Sequence, residues 1–199
     1  MNREQANPAS MELRRQRADH NPTRRYNELV RRRVTLLACR RGGPALDVGT
    51  GAWAYMAQRL ARCGMQVTAV DQEANAVILA ERAAAVPELQ GRLKVRQADA
   101  GRLPFNDGSY RVVVAFDSLG HAWAPKRILA EMFRVRSRDG IVLITEYNKQ
   151  GRRATRHRNL GFEDRLAELL QAHCAGCRRI NHPHHVTYVC GTTAKHIID

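Results

Sequence analysis

The sequence predicts an α/β fold: a doubly wound, mostly parallel sheet with a C-terminal antiparallel hairpin strand. Between residues 44 and 146, short apolar runs alternate with segments whose apolar residues recur at helical spacing. Such an alternation is typical of parallel strands joined by crossover helices on both faces of a sheet. Residues 110–116 are almost wholly apolar, as expected for a strand buried on both faces. The alternation stops after residue 146, where two short runs flanking His182-Pro183-His184 predict the hairpin.

The predicted strands are short runs rich in Val, Leu, Ile or Ala, and several of them end at an acidic residue. In chain order they cover residues 46–48, 66–70, 93–98, 110–116, 141–145, 177–180 and 186–190. The first five are expected to be parallel because helical segments connect them, and the last two form the hairpin.

Helices are predicted where apolar residues recur every three or four positions. The helix within residues 23–41 carries Val30, Val34 and Leu37 on one face, and we interpret most of its arginines as a solvated basic face. The helix after the first strand is predicted to bury a stripe of Trp53, Met56, Ala57 and Leu60. Further helices are predicted from the apolar spacing within residues 77–84, 128–133 and 162–170.

The length and composition predict one domain that follows a tail. The chain has 199 residues, of which 44% are hydrophobic, enough for a sizeable core. Residues 1–22 are polar and lack periodicity, so we expect a mobile basic tail. Residues 23–199 are expected to form the domain, with an N-terminal helix over 23–41, a core over 44–146 and a C-terminal part over 147–199 that completes the sheet.

The charge and the cysteines bear on partners and location. The net charge of +14 is compatible with nucleic acid, an anionic membrane surface or an acidic substrate. Aromatic residues make up only 6%, which disfavours a base-stacking platform. There is no transmembrane-length apolar run and no visible signal peptide, so the expectation is a cytoplasmic protein with five reduced cysteines. The oligomeric state is not predicted.

A glycine turn follows the first predicted strand. Gly49 and Gly51 let the backbone turn sharply and approach a ligand, and the next helix exposes its first N–H groups to that ligand. Asp47 precedes the turn, and its charge would repel a pyrophosphate. A ligand with an amino group or a positive centre suits this carboxylate better. The spacing Gly49-x-Gly51-x-x-Ala54 also satisfies the loose dinucleotide pattern, so an NAD-dependent oxidoreductase is an alternative.

Three further acids stand at the ends of predicted strands: Asp71, Asp99 and Asp117. In an open parallel sheet, ligands bind beyond the carboxyl ends of the strands, so these acids and the glycine turn should share one site. A carboxylate after the second strand suits the two hydroxyls of a ribose. Each acid alone could also be a helix cap or a turn former.

These stretches resemble the class I S-adenosylmethionine (SAM)-dependent methyltransferases, whose fold has a Rossmann-like sheet. The resemblance is carried by residues 46–51, 67–71 and 97–100. Further stretches are similar to the methyltransferase type 11 group, which includes ubiquinone and menaquinone methyltransferases; these are residues 103–105 and 107–110, His121 with Pro125, and residues 131–135 and 139–140. The similarity covers roughly residues 44–146, with weaker correspondence in the terminal helix and hairpin.

The resemblance implies SAM as the cofactor, residues 44–146 as the cofactor-binding core and residues 147–199 as the acceptor part. Gly49 and Gly51 would lie under its methionine part, with Thr50 between them as a further cofactor-binding residue and Asp47 near the amino group. The remaining implied contacts are Asp71 with the ribose hydroxyls, Gln72 beside the adenine, Asp99 and the Ala100 N–H with the adenine edge, and Asp117 and Ser118 where methyl donor and acceptor meet.

The sequence departs from the family pattern at two places. Trp53 replaces a third glycine, and it would either pack under the sheet or narrow the methionine pocket. Arg138-Asp139-Gly140 stands where the family has Pro-Gly-Gly before the fifth strand. Neither change removes a charged contact to the cofactor.

The acceptor is expected to be a small molecule, either anionic or quinone- or phenol-like. Residues 117–120 lack the Asn-Pro-Pro-Tyr motif of many nucleic-acid methyltransferases, and no Pro-Cys pair is present. His121 is the candidate general base, and the alternative is a structural role in which it caps or packs at the turn. Arg152, Arg153 and Arg156 would recognise an anionic group on the acceptor. Two further functions fit the basic composition: an RNA- or protein-directed methyltransferase, and a non-catalytic SAM-fold binding protein.

Cys174, Cys177, His182 and His184 contain ligand types that zinc prefers. Their spacing is shorter than in common zinc modules, and Cys177 begins a predicted strand. We therefore predict no metal site.

Overall fold

The computed structural model of the chain describes residues 24–155, 162–174 and 176–191. The predicted tail, residues 1–22, lies outside the described residues. The described part forms one seven-stranded sheet in the order β3-β2-β1-β4-β5-β7-β6. The strands are β1 (Ala45–Val48), β2 (Val67–Asp71), β3 (Leu93–Gln97), β4 (Tyr110–Phe116), β5 (Arg136–Tyr147), β6 (Arg178–Asn181) and β7 (His185–Cys190).

The pairing confirms the predicted fold class. Strands β1 to β5 are mutually parallel, whereas β7 runs antiparallel to both β5 and β6. The insertion of an antiparallel β7 beside β5 separates this sheet from the dinucleotide-binding order 3-2-1-4-5-6. In the register of the three central strands, Asp47 pairs with Ala69 on one side and Val114 on the other. The carboxyl ends of β1, β2 and β4 therefore lie side by side at one edge.

Helices cover both faces of the sheet, because each strand alternates its side chains between two cores. One core joins β-strand residues such as Ala45, Ala69 and Val112 to helices α1, α2 and α3. The other joins Leu46 and Val113 to α4 and α6. The helices are α1 (Arg24–Arg41), α2 (Tyr55–Arg62), α3 (Ala74–Ala84), α4 (Pro125–Val135), α5 (Lys149–Thr155) and α6 (Phe162–Gln171). Among the described residues, no helix is both long and apolar enough to cross a bilayer.

The structure corrects the predicted stripe of the helix after β1. Met56, Ala57 and Leu60 are buried, but Trp53 precedes α2 and is only half-buried. Ala54 has a left-handed backbone (φ 45°), so the helix begins after it. The Trp53 ring stacks on Tyr55 with 6.3 Å between their centroids. Trp53 therefore belongs to the turn and not to the core stripe.

The five cysteines are not all reduced, which corrects a second expectation. Cys177 and Cys190 form a disulfide between β6 and β7. The pairing of Arg178 with Val189 places the two cysteines opposite each other, with 4.2 Å between their Cα atoms. Cys39, Cys63 and Cys174 are free thiols. Cys177 is thus engaged by Cys190, and across the described ranges no group of three or more His, Cys, Asp or Glu could hold a metal ion.

Candidate active site

A cavity of about 480 Å³ opens at the carboxyl edge of the sheet, beyond β1, β2, β3 and β4. Its size falls in the range of small-molecule sites. The cavity brings together most of the residues predicted from the sequence. Those that line it are Gly49, Asp71, Gln72, Asp99, Ala100, Asp117, Ser118 and His121.

The glycine turn needs its two glycines for different reasons. Gly49 has φ +72°, and a Cβ added there would lie 2.6 Å from the Cβ of Ser118. Gly51 has φ +64°, but a Cβ there would meet no atom within 4 Å. Position 49 is therefore closed by the neighbouring strand end, whereas position 51 demands glycine only for its backbone angle. Val70 O accepts the N–H groups of Gly49 (2.9 Å) and Thr50 (3.0 Å), which fixes the turn on β2.

Asp47 supports this turn from below. Its side chain is buried, and Oδ2 accepts hydrogen bonds from Thr50 Oγ1 (2.7 Å) and Ala57 N (3.1 Å). Burial raises the pKa of the Asp47 carboxyl to about 6, against the opposing effect of these two hydrogen bonds. Asp47, Thr50 and Gly51 are not among the residues that line the cavity. They shape its floor.

Asp71 and Asp99 are held by the loops that follow their strands. Asp71 Oδ2 accepts from Gly51 N (2.9 Å), and its Oδ1 accepts from Glu73 N (3.0 Å). Asp99 Oδ1 accepts from Gly101 N (2.7 Å). A carboxylate has about four acceptor positions, so each of these acids keeps capacity for a ligand hydroxyl or amino group. The hydrogen bonds from the backbone fix the direction of the remaining acceptor positions.

Asp117 lies at the end of β4 in a strained conformation. Its φ is 52°, a left-handed value that is uncommon outside glycine. His185 Nε2 lies 3.2 Å from Asp117 Oδ2. The adjacent Ser118 donates its Oγ hydrogen to Val48 O (3.0 Å), which ties the end of β4 to β1. Strain of this kind concentrates at sites where a side chain must point in one direction.

Comparison with known proteins identifies the family to which this chain belongs. A family model described as a methyltransferase domain matches residues 46–144, which include both the glycine turn and the strand-end acids. The chain belongs to the type 11 group of class I methyltransferases.

Relatives of this chain include named methyltransferases. A probable S-adenosylmethionine-dependent methyltransferase of Mycobacterium tuberculosis is 34% identical over 104 residues, which make up 52% of this chain and 35% of that protein. The phosphatidylethanolamine N-methyltransferase of Cereibacter sphaeroides is 29% identical over 123 residues, 62% of this chain and 60% of that protein. The chain thus spans about a third of the mycobacterial relative it matches.

Solved structures support the fold. A SAM-dependent methyltransferase of Aquifex aeolicus superposes with a TM-score of 0.67 at 18% identity, over 92% of this chain and 97% of that one. The [4+2]-cyclase SpnF superposes with a TM-score of 0.60 at 27% identity, over 75% of this chain and 58% of that one.

Two buried residues beside the cavity, Glu146 and His185, are not predicted by the sequence patterns. Glu146 Oε1 accepts from Leu119 N (2.8 Å) and Gly120 N (3.2 Å), beneath the turn that follows β4. Burial, reinforced by the charge of Asp117, raises the pKa of Glu146 to about 8. His185 is fully buried and its ring packs 4.3 Å from that of Tyr147. An acid that directly continues the apolar run 141–145 is the available signal for Glu146.

Helix α1 covers the same edge of the sheet. Asn27 Nδ2 donates to the hydroxyl of Tyr147 (2.9 Å). The guanidinium carbon of Arg31 lies 5.1 Å from the ring centroids of both Tyr55 and Phe116. The first half of α1 is thereby fastened over the ends of β4 and β5.

The predicted acceptor-binding arginines are not brought to the cavity. Arg152 forms an ion pair with the buried Glu163 and donates to Tyr147 O (3.3 Å), which gives it a structural role. Arg153 is exposed, and neither residue lines the cavity. Arg156 lies outside the described residues. His121 is exposed at the cavity wall, where its N–H donates to Ser118 O (3.3 Å).

Proposed function

We propose that the chain binds SAM in the carboxyl-edge cavity and transfers its methyl group to a small-molecule acceptor. The observation that carries this proposal is the meeting of the glycine turn, Asp71 and Asp99 around one cavity, within the segment that matches the methyltransferase family. A dinucleotide in the same place would bring its pyrophosphate to the turn above the buried Asp47, whose negative charge would repel it.

Each residue of the cavity has a task in this proposal. Asp71 holds the ribose hydroxyls, because its backbone contacts leave lone pairs on both oxygens. Asp99 and the Ala100 N–H take the adenine edge, with Gln72 beside the ring. Asp47 acts on the amino group through the turn that it supports. Gly49 and Gly51 keep the floor free of side chains.

SAM supplies a methyl group that its sulfonium centre already makes reactive. The residues of the chain then have to hold the acceptor in line with that methyl group and exclude water from it. Leu119, Ala122, Trp123 and Ile128 give one side of the cavity an apolar wall. Such a wall suits the planar, apolar body of a quinone- or phenol-like acceptor.

An acceptor that must lose a proton would pass it to Asp117. This side chain lines the cavity and has His185 on one of its oxygens, so it is oriented before the acceptor arrives. His121 is the second candidate because it lines the same cavity. Rate profiles against pH for Asp117→Asn and His121→Gln distinguish them: only the true proton acceptor removes the acidic limb when replaced.

Arg127 is the candidate for recognising an anionic group on the acceptor. It is the one arginine among the described residues that line the cavity, and its Nε donates to Gly101 O (2.7 Å). The remaining donors of its guanidinium fork are suited to a carboxylate or phosphate. Arg153 and Arg156 stay as candidates for a more distant part of a larger acceptor.

Calorimetry with SAM tests the cofactor half of the proposal. The variant is Asp71→Ala, and the matched control is Glu81→Ala, an exposed acid on α3 away from the cavity. Losing a charged hydrogen-bond partner should weaken SAM binding by roughly 10- to 100-fold, whereas the control should bind like the wild type. Equal affinity in Asp71→Ala, with an unchanged thermal midpoint, would refute the assigned role.

Methyl-labelled SAM tests the acceptor half. The protein is incubated separately with a panel of phenols, quinols and acidic metabolites, with RNA, and with peptides. Label that appears in a small molecule supports the proposal. Label that appears only in RNA or peptide would overturn the assignment of acceptor class while leaving SAM binding intact.

A further inference from the structure

Helix α1 presents two different faces. Val30, Val34, Leu37 and Ala38 are buried against the sheet and α2. The opposite side, which we call the outer face of α1, consists of positions i, i+3, i+4, i+7 and i+11, a spacing that places them on one stripe of a helix. Its residues are Leu29, Arg32, Arg33, Leu36 and Arg40, all of them exposed.

The leucines of this stripe are not needed by the described core. Leu29 and Leu36 are each 55% exposed, two turns apart, and they rank among the large apolar side chains that the described fold leaves in water. Arginines stand between and beside them. The only acid in α1, Glu28, forms an ion pair with Arg59 of α2, so no acid of this helix is left to offset the charges of Arg32 and Arg33.

We propose that the outer face of α1 docks onto the surface of an anionic phospholipid bilayer. A helix that lies in such an interface places leucines at the level of the acyl chains and arginines at the level of the phosphates. The chain's net charge of +14 adds a long-range attraction of the same sign. This binding requires neither SAM nor methyl transfer.

The leucines favour a bilayer over RNA as the partner. RNA contacts depend on cations together with aromatic side chains that stack on bases, and isolated leucines would stay in water. A bilayer uses both residue types of the stripe. The arginines alone would not distinguish a bilayer from RNA, because both partners are anionic.

The docked helix would place the site at the membrane surface. Asn27 and Arg31, on the same helix, fasten α1 over the ends of β4 and β5, which is the edge of the sheet that holds the cavity. A bilayer on the outer face would therefore lie beside the edge where an acceptor enters.

Vesicle flotation of the full chain tests the proposal. The vesicles contain either phosphatidylglycerol mixed with phosphatidylcholine or phosphatidylcholine alone, at low and at physiological salt. We expect binding to the anionic vesicles that weakens with salt, and little binding to the neutral ones. Absence of binding to anionic vesicles at low salt would overturn the proposal.

Matched variants separate the outer face from general charge. Arg32→Gln/Arg33→Gln/Arg40→Gln should lower the partition coefficient on the order of 100-fold, about five-fold per arginine near the surface. The control, Arg82→Gln/Arg92→Gln/Arg138→Gln, removes three exposed arginines that lie outside α1 and should change the partition coefficient less than about five-fold. An equal loss in both triple variants would refute a role of this face.

Replacing the two leucines distinguishes a bilayer from a partner that binds through charge alone. Leu29→Ser/Leu36→Ser keeps every charge, and it should lower the partition coefficient roughly ten-fold because two apolar insertions are lost. Circular dichroism checks that each variant keeps its helix content. An unchanged partition coefficient, or RNA binding that depends on the three arginines without vesicle binding, would overturn the bilayer in favour of a purely electrostatic surface.

Discussion

The free energy of unfolding should fall as the pH rises from 4.5 to 8, and replacing Glu146 by glutamine should remove most of that fall. Glu146 lies 1% exposed beneath the turn after β4, where its carboxyl accepts backbone N–H groups of Leu119 and Gly120. Glutamine has the same shape and keeps an acceptor oxygen for these two donors. The substitution therefore removes the ionisation and leaves the support of the turn in place.

The sign follows from the pKa of Glu146 in the two states. Burial and the neighbouring Asp117 raise it from the ordinary 4.5 to about 8 in the folded protein. Between these two values the folded state holds a proton that the unfolded state has lost, so the free energy of unfolding falls as the pH rises from 4.5 to 8. At about 1.4 kcal/mol per unit of pKa, the loss is on the order of 4–5 kcal/mol.

Urea unfolding at a series of pH values measures this loss. The quantity to compare is the difference in unfolding free energy between Glu146→Gln and the wild type, because other titrating groups cancel in it. We expect a difference within about 1 kcal/mol near pH 5 and a gain for the variant of several kcal/mol near pH 8. A difference that is constant from pH 5 to pH 8 would refute the buried, proton-holding role of Glu146.

Three further predictions test the turn, the cavity wall and the hairpin. In urea unfolding, Gly49→Ala should lower the free energy of unfolding by over ~1 kcal/mol more than Gly51→Ala does. A left-handed alanine costs about 1–2 kcal/mol at both positions, but only the Cβ at position 49 meets Ser118. Equal losses would contradict the close approach of Ser118 to position 49. Trp53 and Trp123 are the only tryptophans of the sequence, and Trp123 is fully exposed at the cavity wall, so SAM should alter the fluorescence of Trp53→Phe, in which Trp123 is the remaining tryptophan; an unchanged fluorescence would place SAM away from this wall of the cavity. Denatured protein prepared without reductant should show three reactive thiols, rising to five after reduction, and five from the start would rule out the Cys177–Cys190 disulfide.

The sequence predicts those residues of the site that can be recognised from a local sequence pattern. Asp71 and Asp99 are recognisable because each follows an apolar run, and parallel strands bring their carboxyl ends to one edge without further information. The glycine turn is recognisable because the spacing of its glycines is a backbone property. Even Gly49, which is closed by Ser118, can be identified without knowledge of its partner.

The features that the sequence does not predict depend on the register between segments far apart in the chain. His185 reaches Asp117 across 68 positions, and it does so only because β7 runs antiparallel to β5 in one particular register. The Cys177–Cys190 disulfide follows from the register of β6 against β7. The sequence likewise does not show that Arg152, predicted as an acceptor contact, pairs with Glu163.

Two of the buried acids, Asp47 and Glu146, show how the cavity is built. Asp47 lies under the turn at residues 49–51 and Glu146 under the turn after β4, and each accepts hydrogen bonds from the segment that it supports. Burial raises the pKa of both, so the fold gives up stability at neutral pH to keep carboxylates where neutral side chains would pack at lower cost. Both turns face the position proposed for a cofactor with a positive sulfonium and an amino group. At neutral pH Asp47, with a pKa of about 6, is the ionised one of the two acids. Its negative charge beneath the glycine turn would attract such a ligand, and bound ligand would in turn offset the cost of burying that charge.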